Sequence, residues 1–88
     1  MKPKLYIDEH GNKVWKLPNG DRHKEDGPSY IDIFGNKLWY INNKLHRENN
    51  PAVETCSGGK EWYLNGIQYT KKEYKKKMRL IKLKHILD

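Results

Sequence analysis

Three tryptophans, Trp15, Trp39 and Trp62, stand 24 and 23 residues apart, and the residues around them recur with nearly the same period. A repeat this short cannot bury its own hydrophobic face. It must stack on its neighbours, so the period constrains the fold more tightly than any single motif.

The recurring phrase before each tryptophan runs from Tyr6 through Gly11 and Asn12 to Trp15, then from Tyr30 through Gly35 and Asn36 to Trp39. A looser third copy runs from Val53 through Gly58-Gly59 to Trp62. A turn pair follows each one, at Asn19-Gly20, Asn42-Asn43 and Asn65-Gly66. Such pairs tolerate positive φ at both central positions and predict type I′ turns, whose twist suits a hairpin. The second turn of each unit falls at Gly11, Gly35 and Gly58-Gly59. His23-Lys24-Glu25-Asp26-Gly27-Pro28 is matched by His46-Arg47-Glu48-Asn49-Asn50-Pro51, and Tyr69 takes the histidine position in the third unit. Pro28 and Pro51 end one strand and begin the next. An extra residue near Pro18 accounts for the longer first unit.

Between turns the chain alternates. Trp15/Leu17, Trp39/Ile41 and Trp62/Leu64 share one face, and Val14/Lys16, Leu38/Tyr40 and Glu61/Tyr63 the other. The expected fold is mainly β (α+β): a single antiparallel β-meander of about three 23-residue hairpin repeats, with about six short strands. Residues 1–70 form the repeat sheet. Residues 71–88 form a basic amphipathic helix packed on or capping that sheet, within one compact domain.

The unit resembles the MORN repeat family in length, in its aromatic-x-x-Asn-Gly turn and in its downstream histidine. More closely it resembles the divergent MORN-like repeats of bacteriophage, large-virus and bacterial proteins, which read Trp-Tyr-x-Asn-Gly-x-x-His-Arg-Glu-Asp-Gly-Pro-Ala. The second unit matches best, through Trp39-Tyr40, Asn42, His46-Arg47-Glu48 and Pro51-Ala52. The chain departs from the pattern at Asn43, at Asn49-Asn50 and at Tyr69. The resemblance implies an elongated β-meander that binds rather than catalyses. Its phage context implies a small inhibitor or modulator of a host complex, of the anti-defence type, working in the host cytoplasm.

A core this thin needs large side chains. The 88 residues are 35% hydrophobic and 33% charged, with a mean hydropathy of −1.09, but they include ten aromatics, which disordered chains lack. Cys56 is the single cysteine, so no intramolecular disulfide can form. With no apolar run long enough for a signal or a membrane span, the expected compartment is the cytoplasm.

His23 with Glu25, and His46 with Glu48, suggest an acid/base pair or metal ligands at first reading. Equivalent positions in successive hairpins lie about 10 Å apart, because neighbouring strands are about 4.8 Å apart. Ligands at about 2 Å from a zinc ion cannot span that gap. Catalysis calls for one asymmetric site, whereas this pattern occurs once per unit. The expectation is an architectural role for His23, His46, Trp15, Trp39, Trp62, Gly11, Gly35, Gly66, Pro28 and Pro51, with no catalytic residue, no metal and no cofactor. The alternative for the tryptophans is a stacking platform for bases. Tyr40 and Tyr63, on the opposite face, are the better candidates for an exposed binding surface.

Charge is where the chain departs from a plain repeat. Of its net +7, residues 1–70 carry +1 and residues 71–88 carry +6. Thr70 and Glu73 form a capping box that starts the helix at Lys71. On a helical wheel Tyr74, Met78, Leu80, Ile81 and Leu87 fall in one half. Lys71, Lys72, Lys75, Lys76, Arg79 and Lys82 fall in the other, joined by Leu83 and Ile86. A solvated cap on the open end of the repeat array explains the apolar stripe but not six cations on one side. The basic face predicts a partner: a host protein or a ribonucleoprotein or DNA-bound complex first, nucleic acid directly as the alternative. An anionic membrane ranks below both, since the helix lacks Trp and Phe. A homodimer is open through the sheet edge near Leu5 or through the distal helix.

Overall fold

The first two units are each built around a tight Asp-x-x-Gly-Asn loop that fixes the register of the strands beside it, and the third uses Thr55-x-x-Gly58-Gly59 in its place. The Gly11 N–H donates to the Asp8 carbonyl at 3.1 Å and the Asp8 N–H to the Asn12 carbonyl at 3.0 Å. Asp32, Gly35 and Asn36 repeat both bonds, each at 3.1 Å. Gly11 and Gly35 sit at φ 91° and 92°, a region L side chains rarely adopt, which is why glycine recurs there.

A computed structural model describes residues 2–87, with the backbone alone of Leu87. The strands are β1 (Lys4–Ile7), β2 (Lys13–Lys16), β3 (Tyr30–Ile31), β4 (Lys37–Leu38), β5 (Tyr40–Ile41), β6 (Lys44–Leu45), β7 (Val53–Glu54), β8 (Lys60–Leu64) and β9 (Ile67–Tyr69). The helix α1 (Lys71–Leu87) follows. The fold is the expected one: a seven-stranded antiparallel meander in the order β1-β2-β3-β4-β7-β8-β9, with the C-terminal helix packed on its last strands. Strands β5 and β6 pair separately.

That separate pair takes the strand number to nine, against about six expected, and it begins at Trp39, where the chain leaves the main sheet. Its N–H reaches the Ala52 carbonyl in the main sheet at 2.8 Å, while its carbonyl accepts from the His46 N–H at 3.0 Å. One residue thus bonds in two directions, and the strand is interrupted at it. Trp15 does the same, donating to Ser29 at 2.8 Å and accepting from His23 at 3.0 Å.

The second set of turns departs from expectation in one unit. Asn42-Asn43 (φ 48° and 67°) and Asn65-Gly66 (φ 51° and 82°) have positive φ at both central positions, as a type I′ turn requires. In the first unit Gly20 alone does so, at φ 92°. Pro18 is fixed near φ −65° and cannot enter a primed turn. The loop instead closes with Gly20 N–H on the Leu17 carbonyl and Leu17 N–H on the Asp21 carbonyl, both at 2.8 Å. The extra residue is the cost of the proline.

The core is thin and lopsided. Ala52, Val53, Leu64, Tyr74 and Met78 are the buried hydrophobics, and Leu64, Tyr74 and Met78 form a cluster flanked by Trp62, Tyr69 and Ile81. The molecule measures 45 × 33 × 17 Å, so in its thinnest dimension it is little more than a sheet with one layer packed on it. Small residues separate the tryptophans. Ser29 stands across from Trp15, and Ala52 between Trp39 and Trp62, and both are fully buried. Leu80, placed with the core stripe by the helical wheel, is 62% exposed instead. Tyr74, Met78 and Ile81 span a narrow arc and already cover the last strands, leaving Leu80 on the flank.

Candidate partner-binding site

The helix begins where the sheet ends. Thr70 N–H donates to Glu73 Oε1 at 2.9 Å, and Glu73 N–H to Thr70 Oγ1 at 3.1 Å, closing the capping box. The Thr70 backbone N–H is the main cause holding the Glu73 carboxyl below its ordinary range. Tyr74, one residue on, is 3% exposed and fixes the helix azimuth. Its hydroxyl donates to the carbonyls of Arg47 and Asn50, the latter at 3.1 Å. Burial pushes that phenol above its ordinary value. With Tyr74 and Met78 turned inward, Lys71, Lys72, Lys75, Lys76, Arg79 and Lys82 are all exposed. Among the described residues none of them has a carboxylate within 4 Å.

Two adjoining hollows run along this junction. One is lined by Asn49, Asn50, Pro51, Lys60, Trp62 and Lys71, with Tyr74 at its floor. The other, of ≈ 240 Å³, is lined by Asn49, Tyr74, Lys75, Met78, Arg79 and Lys82. Together they make a groove with five cations, no carboxylate, and the half-buried ring of Trp62 beneath Lys71 at 5.9 Å. Such a groove attracts an extended anion: the lysines supply field and hydrogen-bond donors, and the indole offers an apolar surface.

The other two tryptophans carry the same cation over the ring with different surroundings. Lys24 Nζ lies 4.1 Å from the Trp15 ring centre, and the Arg47 guanidinium 3.8 Å from that of Trp39. Here acids accompany the cations. Lys24 faces Asp26 at 3.9 Å, Arg47 pairs with Glu54 at 3.2 Å and also donates to the Pro51 carbonyl at 3.1 Å. A cleft of ≈ 730 Å³ above Trp39 is bordered by Glu25, Asp26 and Glu48.

The histidines are placed by the unit that follows them. Asn42 N–H donates to His23 Nδ1 at 2.9 Å, and Asn65 N–H to His46 Nδ1 at 3.0 Å. Because Nδ1 accepts in both, the neutral rings carry their proton on Nε2. That nitrogen faces Glu25 at 3.4 Å in the first case and Glu48 at 3.6 Å in the second. On the opposite edge Asn12 Oδ1 accepts from Ile33 N–H at 3.0 Å, and Asn36 Oδ1 from Cys56 N–H at 2.8 Å. Among the described residues no three His, Cys, Asp or Glu side chains are placed to hold a metal ion.

Tyr40 and Tyr63 are half-buried rather than open. The Arg22 guanidinium covers Tyr40 at 3.9 Å, and the Tyr63 hydroxyl donates to Glu61 at 3.2 Å. Two of the cation placements over the tryptophan face carry a signal in the sequence. Lys60 precedes Trp62 by two residues, as Lys13 and Lys37 precede Trp15 and Trp39, which puts every such lysine on the tryptophan face. Lys24 and Arg47 each follow a repeat histidine directly. Leu87 belongs to α1, but its side chain lies outside the described residues.

Comparison of the chain with family models, with curated proteins and with solved structures gives no match.

Proposed function

We propose that this chain is a non-enzymatic binding protein that engages an anionic partner through α1 and the groove beside Trp62. The partner is a protein or nucleoprotein complex presenting carboxylates or phosphates. The repeat pattern of phage and bacterial proteins that the chain resembles supports the role of a modulator of a host complex. The observation that carries the reading is the set of six helix cations, solvent-exposed and without a carboxylate within 4 Å among the described residues. Surface lysines in a repeat cap need only be soluble. Six on one side, with Glu73 the one acid of α1, hold a positive field that a bound anion would discharge.

Direct binding of nucleic acid is the second reading, favoured by the half-buried Trp62 ring within the cationic groove. No helix is long and apolar enough to cross a membrane.

Replacing Lys72, Lys75, Lys76 and Arg79 together by Gln tests the first reading. Capture of the partner from host lysate should be lost while circular dichroism and thermal melting stay close to those of the parent; undiminished capture would sink the proposal. Nuclease treatment of the lysate separates the two readings. Direct nucleic-acid binding further predicts a log–log salt slope of about −0.9 per phosphate contacted on duplex DNA.

A further inference from the structure

Strand β1 is an edge of the seven-stranded sheet, and all four of its residues are exposed. Its pairing with β2 sets Lys4 against Lys16, Leu5 against Trp15, Tyr6 against Val14 and Ile7 against Lys13. The backbone groups of Trp15 both turn away from β1, to Ser29 and His23. Leu5 therefore belongs to a pair that exchanges no hydrogen bonds with β2, and alternation extends this to Ile7. The N–H and carbonyl groups of Leu5 and Ile7 point out of the sheet. Pro3, which has no N–H to lose, occupies the preceding outward position, where edge strands tolerate proline.

The sequence around this edge is self-complementary. Residues 2–10 read Lys-Pro-Lys-Leu-Tyr-Ile-Asp-Glu-His, basic on one side of Tyr6 and acidic on the other. An antiparallel copy centred on Tyr6 sets Lys4 against the second copy's Asp8, and Leu5 against the second copy's Ile7. The outward N–H and carbonyl groups of both residues are then used in both chains, giving four hydrogen bonds. Shifting the centre to Leu5 would bring Pro3, without its N–H, opposite Ile7. Leu5, Tyr6 and Ile7 are 45%, 48% and 61% exposed, so their side chains are available to pack across the junction.

We infer that β1 is an interaction surface for a second copy of this chain, which pairs antiparallel about Tyr6 and joins two sheets into one. The inference does not depend on the identity of the anionic partner. Like charges do not oppose it strongly, because residues 1–70 carry a net charge of only +1 and α1 packs on the strands at the opposite edge. A four-residue junction buries little area, so association is weak and concentration-dependent.

Sedimentation velocity from low-micromolar to near-millimolar protein is the direct test. The parent shifts from monomer to dimer over that range. Leu5→Pro, which removes one outward donor, and Lys4→Glu, which sets two acids face to face, each weaken the dimer several-fold at unchanged melting temperature. The register is read by oxidative cross-linking in a Cys56→Ser background. A pair without mutual hydrogen bonds holds its Cα atoms about 4.5 Å apart, within disulfide reach. Tyr6→Cys cross-links to itself, whereas Leu5→Cys, facing Ile7, does not. A parent that stays monomeric at every concentration overturns the inference, as does equal cross-linking at positions 5 and 6.

Discussion

The clefts over Trp39 and Trp62 are two versions of one arrangement, and they have been put to different ends. Over Trp39 the cation is consumed locally: Arg47 stacks on the ring, pairs with Glu54 and donates to Pro51, with Glu48 and Glu25 on the rim. Over Trp62 the cation is Lys71, 5.9 Å away, joined by Lys60 and Lys75; Glu61 and Glu73 border the hollow on its other side, but among the described residues no carboxylate lies within 4 Å of these lysines. The repeat supplies a close counter-charge in one unit and not in the other. Ring and cation alone therefore do not distinguish the two clefts; the placement of the acids does.

The comparison breaks most visibly at Tyr74, on which the cleft over Trp62 depends. Tyr74→Ala removes a 3%-exposed ring and its hydroxyl bonds to Arg47 and Asn50. The expected loss is about 3–5 kcal/mol, the usual range for truncating a buried aromatic. Chemical denaturation should register it, and hydrogen exchange should show α1, β8 and β9 opening while β1 and β2 stay protected. Uniform loss of protection would mean that the two regions are a single cooperative unit.

A smaller effect separates the two cations. Arg47→Ala should lower stability by roughly 1–3 kcal/mol, because it strips a stacked, hydrogen-bonded guanidinium and leaves the Pro51 carbonyl without its donor. It should barely alter affinity for an anionic partner. Lys71→Ala should do the reverse, changing stability by less than about 0.5 kcal/mol, as is usual for surface sites. Melting curves and partner titrations on the same two variants test both halves.

Smallest is a difference in acid response between the loops. The Asn12 and Asn36 amides are the largest influences holding the Asp8 and Asp32 carboxyls below their ordinary value of 3.8. Their folded-state values are depressed, so the stabilisation is complete above 3.8 and is lost as pH falls through the lowered values. The third loop uses Thr55 instead, whose Oγ1 accepts from Gly59 N–H at 2.7 Å. Carboxyl and amide NMR titration should show the first two loops loosening in acid, with the Thr55–Gly59 bond unaffected.

Much of this architecture is legible in the sequence because its causes are local. The Asn and Gly turns, the Thr70–Glu73 cap and the alternation about each tryptophan depend on neighbours within a few residues. Pro18 could have been read the same way, since its fixed φ excludes the primed turn. The bonds between units could not. His23 meets Asn42 and His46 meets Asn65 across 19 residues, at a backbone N–H that no side-chain pattern advertises. The candidate groove was half legible: the helix cations stand out in the charge distribution, while Lys60 and Trp62 join them only once β8 is laid beside the helix.

Those 19-residue bonds also run in one direction. In both the side chain comes from the earlier unit and the backbone donor from the later one, as for Asn12 with Ile33 and Asn36 with Cys56, whereas Arg22 N–H runs the other way, to Asn43 Oδ1 at 3.4 Å. A chain made from its N-terminus therefore emerges with its acceptors waiting. His23 has no Asn42 to receive until the next hairpin has left the ribosome, and the Arg47 and Asn50 carbonyls wait for Tyr74. Order in each of these segments is completed by what is synthesised after it, and the basic helix, through Tyr74, closes the unit that precedes it.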